Sequence, residues 1–252
     1  MGTGKIVAIV QARMGSRRLP GKVMLKLGQK PVIWHVVNRL GRCRLVDQIA
    51  VATTRNSEDG AIGRWCKQQH IAIFRGSSSD LLDRYREASI HFGAESVLRI
   101  TADCPVLDSD IVDLVIQEYR DGKWDYFGLS GEYPNGLDCT IMGFDTLDAA
   151  WREATLPSDR EHVGPYIERN GNRFKVGGLE YFHGQYKQRW TLDESADYEF
   201  LENIFQKLGP DSQYFGARQI LDLLREYPEL KQINAHIVRN EGYLFSVSQD
   251  PQ

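Results

Sequence analysis

The 252-residue chain is most informative first for what it lacks. No window approaches the ~18 consecutive apolar residues of a membrane span. Met1-Gly2-Thr3-Gly4-Lys5 runs straight into the apolar stretch 6–10, which is too short and wrongly flanked for a secretory leader. Ile6 stands where a myristoylation signal needs Ser or Thr. Cys43, Cys66, Cys104 and Cys139 form no CxxC and no zinc-type Cys/His spacing. Free thiols in a reducing, cytoplasmic compartment are therefore expected. There is no internal repeat, no low-complexity tract and no linker-like segment. A formal net charge of −3 argues against a duplex-DNA binder, which is usually strongly basic.

One absence is local. Residues 1–46 contain ten basic side chains and no carboxylate, Asp47 being the first acid. The other 206 residues therefore carry 21 basic (31 − 10) and 34 acidic side chains, −13 against +10. A +10 segment calls for a compact polyanion, and a nucleoside triphosphate fits it.

What is present is ordinary globular composition, 42% hydrophobic and 26% charged. Apolar runs at 6–10, 48–53, 71–74 and 96–100 read as strands. Amphipathic stretches at 31–42, 57–69, 79–92 and 109–120 read as helices between and after them. Pro31 near the first turn and Ser57 as a cap open the first two. Such alternation predicts an α/β fold with a parallel sheet covered on both faces. After about residue 123 the texture changes. Strands are expected at 125–129, 137–144, 174–179 and 188–192, and helices at 146–154, 159–170, 195–208 and 217–226. The chain reads as one domain over 1–252, with an inserted arm near 125–190 and a helical tail over 209–252.

The first candidate site is the loop Gln11-Ala12-Arg13-Met14-Gly15-Ser16-Arg17-Arg18-Leu19-Pro20-Gly21-Lys22. It follows the first strand, at the sheet end where parallel α/β proteins bind ligands. Four cations, two glycines and no acid suit phosphate, although a solvated basic loop is the competing reading. It is neither a P-loop nor GxGxxG. Thr101-Ala102-Asp103-Cys104-Pro105 ends the fourth strand, and a carboxylate there could hold Mg2+ on a phosphate or merely close a turn. Asp193, far away in sequence, could meet Asp103 across the strand ends; capping competes for Asp193, Ser195 and Asp197. Asp108-Ser109-Asp110 spells DxD, but its place before a helix favours an N-cap. Arg75-Gly76-Ser77-Ser78 could meet a base or ribose, with helix capping by Ser79 and Asp80 as the alternative. Ser158-x-x-Glu161 reads as a capping box, and His162 stands alone.

Together "IVAIVQARMGSRRLPGKVM", "VATT", "FRGSSSDLLDRY", "RITADCPVLD", "REHVGPYI", "TLDESADYEF" and "YPELKQINAHIVRNEGYLFS" resemble the spore coat polysaccharide type of cytidylyltransferase. That family is homologous to CMP-KDO and CMP-sialate synthetases, and the resemblance spans nearly the whole chain. It implies the nucleotide-diphospho-sugar transferase fold, a Rossmann-like mixed sheet. It also implies transfer of CMP from CTP to an acidic sugar or related acceptor, with Mg2+ and release of pyrophosphate. By motif, Arg13 and Lys22 would neutralise the α-phosphate and leaving group. Ala12, Met14, Gly15, Ser16 and Thr101 would line the nucleotide, and Arg75 to Ser78 with Arg84 would lie near base and ribose. Asp103 and Asp193 would hold Mg2+, while Asp138, Glu161 and His162 would face the acceptor. Thr140 stands where family members often place an acid, and Gly164 where Thr is common. The resemblance further implies a homodimer, with no nucleic-acid or membrane partner. A nucleotide-sugar-dependent glycosyltransferase of the same fold, using the DxD, and a non-catalytic nucleotide-binding module are the alternatives.

Overall fold

The computed structural model describes residues 4–209 and 214–251; residues 1–3, where the leader question arises, lie outside that set. Its elements run β1 (Ile6–Gln11), β2 (Lys26–Leu27), β3 (Lys30–Pro31), α1 (Val32–Leu40), β4 (Gln48–Thr54), α2 (Gly60–Gln68), β5 (Ala72–Gly76), α3 (Leu81–Phe92), β6 (Ser96–Thr101) and α4 (Ser109–Gly122). They continue with β7 (Tyr126–Ser130), β8 (Thr140–Gly143), α5 (Phe144–Glu153), α6 (Pro157–His162), α7 (Pro165–Arg169), β9 (Val176–Glu180), α8 (Ser195–Leu208), α9 (Ala217–Glu226) and α10 (Glu241–Ser248).

Seven strands form one sheet in the order β5-β4-β1-β6-β8-β7-β9, and β8 is the one antiparallel strand. The mixed α/β architecture is the expected one. Strand β1 shows why the sheet is covered twice. Ile6, Ala8 and Val10 enter one core cluster, with Ile33, Val36, Ile62 and Val112 from α1, α2 and α4. Val7 and Ile9 enter the other, with Leu82, Tyr85 and Leu147 from α3 and α5. All five apolar residues are almost fully buried, each larger one contributing roughly 1.5–3 kcal/mol of transfer free energy. A third cluster, holding Trp190, Phe200, Ile204, Ile220 and Leu224, packs α8 and α9 beside the sheet.

Chain order reverses at β1, which lies between β4 and β6. In such sheets the crevice beyond the carboxyl ends of the two central strands is where ligands bind. The loops after β1 and β6 flank that crevice, and these are the loops that carry Lys22 and Asp103.

Four local expectations fail for identifiable reasons. Residues 188–192 form no strand and make only an isolated bridge, Asn135 to Arg189. Trp190 N–H donates to Asn135 O at 2.6 Å and Leu192 N–H to Asp103 O at 2.8 Å, so the segment ties two loops together. The helix expected over 159–170 breaks into α6 and α7 at Val163, whose φ of 69° and ψ of −51° form a strained γ-turn closed by Gly164 N–H to His162 O at 2.8 Å. Pro165, lacking an N–H, restarts the helix at its first position. Ser57 starts a short 3-10 turn and makes no side-chain cap. The Ser158–Glu161 capping box is also absent, because Leu156 is the N-cap. Ser158 instead donates through N–H and Oγ to Asp250, at 2.9 and 2.5 Å.

Candidate active site

The loop after β1 is held by backbone and by one buried acid. Ala12 N–H donates to Ala52 O and Gly21 N–H to Met14 O, so the loop folds back on itself. Gly21 adopts φ 71°, a conformation that favours glycine, immediately before Lys22. Asp59 is fully buried and accepts from Met14 N–H at 2.6 Å and from the Thr54 hydroxyl. From sequence Asp59 reads only as a first-turn acid, yet it anchors the loop from below.

Lys22 closes the loop. Its ammonium donates to Asp103 Oδ2 at 2.5 Å and to Asp193 Oδ1 at 2.6 Å. Residues 81 and 171 positions away thus converge on one nitrogen. Burial pushes the Lys22 ammonium down, but the two carboxylates outweigh it and raise its pKa above the ordinary lysine value. Burial likewise favours a protonated Asp103; the Lys22 charge outweighs it and holds that carboxyl below the ordinary range. Asp193 is shared further, with Arg18 at 3.2 Å and Arg189 at 3.0 Å on Oδ2. Arg189 is locked by a bidentate pair with the fully buried Asp197, at 2.8 and 3.0 Å. Asp197 Oδ2 also accepts from Asp193 N–H and Glu194 N–H, the capping role open to it from sequence. Gly136, at φ 111°, lets its loop pass this segment, since a Cβ there would sit 2.5 Å from the Trp190 carbonyl carbon.

Other cations of the loop also rest on acids from distant parts of the chain. Arg13 pairs with Glu161 at 3.2 Å, and Arg18 reaches Glu194 at 3.4 Å and Glu241 at 2.7 Å. Beside the loop lies the β5 cluster. Arg75 donates to Thr54 O at 2.9 Å and Asn56 O at 2.7 Å, and Arg84 donates to Ser77 O at 2.6 Å. Gly76 lets Arg84 pack closely, because a Cβ would meet its Cγ at 3.0 Å. Ser78 is exposed, and Ser77 Oγ accepts from Asp80 N–H at 3.1 Å. Asp80 caps α3, while Ser79 makes no such bond.

A cavity of about 640 Å³ opens here, walled by Thr101, Asp103, Asp193, Asp138 and His162 among others. Thr101 Oγ1 lies 3.0 Å from Cys104 Sγ, whose thiol burial pushes well up. Both Asp138 oxygens are used, accepting from Tyr133 OH at 2.8 Å and Gly136 N–H at 2.7 Å, so this residue shapes the wall. His162 Nε2 lies 2.9 Å from Ser246 Oγ and its ring stands edge-on to Tyr243, 5.1 Å away. α10 therefore covers His162. Burial and then Arg99 hold the imidazole below its ordinary pKa.

Asp108 is a helix cap. Its Oδ1 accepts from Asp110 N–H and Ile111 N–H, and its Oδ2 accepts from Ala217 N–H at 2.7 Å. Asp108, the first acid of the DxD, is therefore committed to holding α4 and α9. Among the described residues no three His, Cys, Asp or Glu side chains converge on a point. Two carboxylates that meet one cation are nevertheless what Mg2+ needs when phosphate and water supply its other ligands. Asp59, Arg189 and the contacts from α10 escaped the sequence reading, although the fixed i, i+4 and i, i+8 spacing of Arg189 to Asp193 and Asp197 was a usable signal.

A family profile described as cytidylyltransferase matches residues 7–241. The chain is 31% identical to the spore coat polysaccharide biosynthesis protein SpsF of Bacillus subtilis over 235 residues, 89% of this chain and 95% of that protein. It superposes on the solved structure of a cytidylyltransferase from Leptospira borgpetersenii with TM-score 0.86 and 29% identity, covering 94% of this chain and all of that one. CMP:2-keto-3-deoxy-manno-octonic acid synthetase, solved with CTP, shares the fold at TM-score 0.61 and 18% identity, over 81% of this chain and 99% of that one.

Proposed function

Because the chain belongs to the cytidylyltransferase family, whose members are CTP-dependent nucleotidyltransferases, we propose that it transfers CMP from CTP to an acidic sugar or related phosphorylated acceptor in surface glycan synthesis. The observation that carries this reading is Lys22, poised between Asp103 and Asp193 where the loops after β1 and β6 meet. An acceptor oxygen attacks the α-phosphorus in line, the bond to the bridging oxygen breaks, and pyrophosphate leaves. The protein's work in such a transfer is positioning and charge neutralisation. Lys22, Arg13 and Arg18 exchange their carboxylate partners for phosphate oxygens. Ala12 to Ser16 supply backbone to the triphosphate, and Arg75 to Ser78 with Arg84 flank base and ribose.

Asp103 and Asp193 fit a divalent cation and would hold Mg2+. When bound, the ion neutralises charge that builds on the phosphates. His162 borders the acceptor cavity, and its neighbour Glu161 holds Arg13. A homodimer joined through 125–190 belongs to this reading, supported by the exposed Tyr181 and Tyr186 beyond the edge strand β9. A cytoplasmic location, where CTP is made, belongs to it as well.

A pyrophosphate-release screen tests the reading. CTP and Mg2+ are supplied with KDO, N-acetylneuraminate, sugar phosphates and phosphonates, and with UTP and ATP in parallel. At least one acidic acceptor should give CTP-specific, Mg2+-dependent release. Equal release with every nucleotide, or none with any acceptor, sinks it.

A further inference from the structure

Arg99 lies in the middle of β6, near the centre of the sheet, and its side chain borders the 640 Å³ cavity. Val97, Arg99 and Thr101 alternate onto one face of the sheet. The partners of Arg99 across the ladder, Ile9 on β1 and Thr140 on β8, carry no charge. Among the described residues no carboxylate, carbonyl or ring receives its guanidinium. Nε is buried without any hydrogen-bond partner, which leaves the two terminal nitrogens for the cavity. The other arginines on the cavity wall, Arg18 and Arg189, are each held by carboxylates.

Three neighbours feel Arg99 and none of them is a carboxylate: Tyr126, which gives its hydroxyl to Glu168 at 2.9 Å, Tyr85, held protonated to about pH 12 by burial, and His162, held below its ordinary pKa. A half-buried guanidinium without a counter-charge is costly to the free protein. Such a charge persists where a ligand completes it. Gln11 also lines this wall, and its Oε1 accepts from the Tyr85 hydroxyl at 3.1 Å, so its amide nitrogen is not used in that bond.

We propose that Arg99 is the specificity-determining residue for the acceptor and receives its oxyanion, a carboxylate or a phosphoryl group, end-on through the guanidinium fork. The proposal rests on the transfer reading above but does not need turnover to be tested. An acceptor lacking that oxyanion leaves Arg99 uncompensated and is rejected, as sites built around a polar partner reject analogues without it. The fork also distinguishes Arg from Lys, which supplies a point charge.

The test is calorimetric binding to the full chain, saturated with CTP in Ca2+ to block turnover. The probes are N-acetylneuraminate, KDO, glucose 1-phosphate and inorganic phosphate, with N-acetylmannosamine as the uncharged control. Wild type should bind at least one oxyanion probe and not the control; carboxylate and phosphate probes separate the two forms of the oxyanion. Arg99→Gln should lose 10- to 100-fold in that affinity, and Arg99→Lys should recover part of it, while CTP affinity moves less than threefold in both. Thermal melts give a readout that a structural role would reverse. Without ligand, Arg99→Gln should melt at or above the wild-type temperature, because an uncompensated charge has gone. Unchanged oxyanion binding, an equal loss of CTP affinity, a lowered melting temperature or no binding by wild type overturns the proposal. If instead the oxyanions bind through Arg99 and no pyrophosphate is released, the transfer reading has failed and this one stands.

Discussion

On the proposed function, the nucleotide wall and the acceptor wall of this site hold positive charge in opposite ways. On the nucleotide wall Lys22 rests on Asp103 and Asp193, Arg18 on Asp193, Glu194 and Glu241, and Arg13 on Glu161. On the acceptor wall Arg99 Nε is buried without a partner, and among the described residues no carboxylate pairs with its guanidinium. The first arrangement pre-positions cations at little cost and lets a triphosphate take them by exchange. The second keeps a charge uncompensated until the right ligand arrives. Affinity for a polyanion common to many enzymes can be built from shared pairs, whereas discrimination among acceptors is sharper when one wall penalises vacancy.

The hardest blow to this contrast is aimed at Lys22. Lys22→Ala should lower kcat/KM for CTP-dependent pyrophosphate release by ~10²–10³, about 3–4 kcal/mol by analogy with loss of an oxyanion donor. Turnover above a tenth of wild type would mean that the ammonium merely bridges two loops.

A smaller effect separates pairing from exchange. With Lys22, Arg18 and Arg189 already on its carboxylates, the site opposes a free divalent cation until phosphate draws the cations away. Mn2+ titrated alone and followed by electron paramagnetic resonance should bind about tenfold or more weakly than Mn2+ with CTP, since each decade is ~1.4 kcal/mol. Equal affinities would show that the acids are not engaged as described.

The gentlest probe is pH, on the acceptor wall. Burial and then Arg99 lower the pKa of His162; Glu161 opposes them, Arg13 adds a smaller lowering, and Asp250 opposes least. Between that lowered value and 6.5 the unfolded chain binds a proton that the folded protein refuses. The stability contribution is therefore full above pH 6.5 and declines as pH falls through it. Protection factors of the α10 amides, with the intrinsic pH dependence of exchange divided out, should fall from pH 7.5 to 6 in wild type and less in His162→Gln. Identical pH trends in the two proteins would detach the helix from this histidine.

Much of this contrast was legible before the structure. The acid-free stretch to Val46 and the Gly-Arg-Lys loop after β1 pointed to the wall proposed for the nucleotide, and strand–helix alternation pointed to the end of the sheet on which that loop lies. Asp103 and Asp193 could be nominated, but their meeting on Lys22 depends on chain crossing of 81 and 171 residues, beyond any local period. Arg99 was invisible for a different reason. In Val97-Leu98-Arg99-Ile100 a strand cation looks solvent-facing, and only the central place of β6 in the sheet order buries it. Residues 188–192 misled because an extended segment bonded to two loops has the same alternation as a ladder strand. The helix over 159–170 misled because a β-branched residue with φ of 69° at Val163 contradicts local preference.

The reach from Arg18 to Glu241 spans 223 residues. During synthesis the first 46 residues emerge with ten basic side chains and no acid. The acid partners of Lys22, Arg13 and Arg18 then arrive one by one: Asp103 first, then Glu161, Asp193 and Glu194, and Glu241 after nearly all the rest. The loop after β1 is thus made early, and its ion pairs are complete only when the chain is nearly finished.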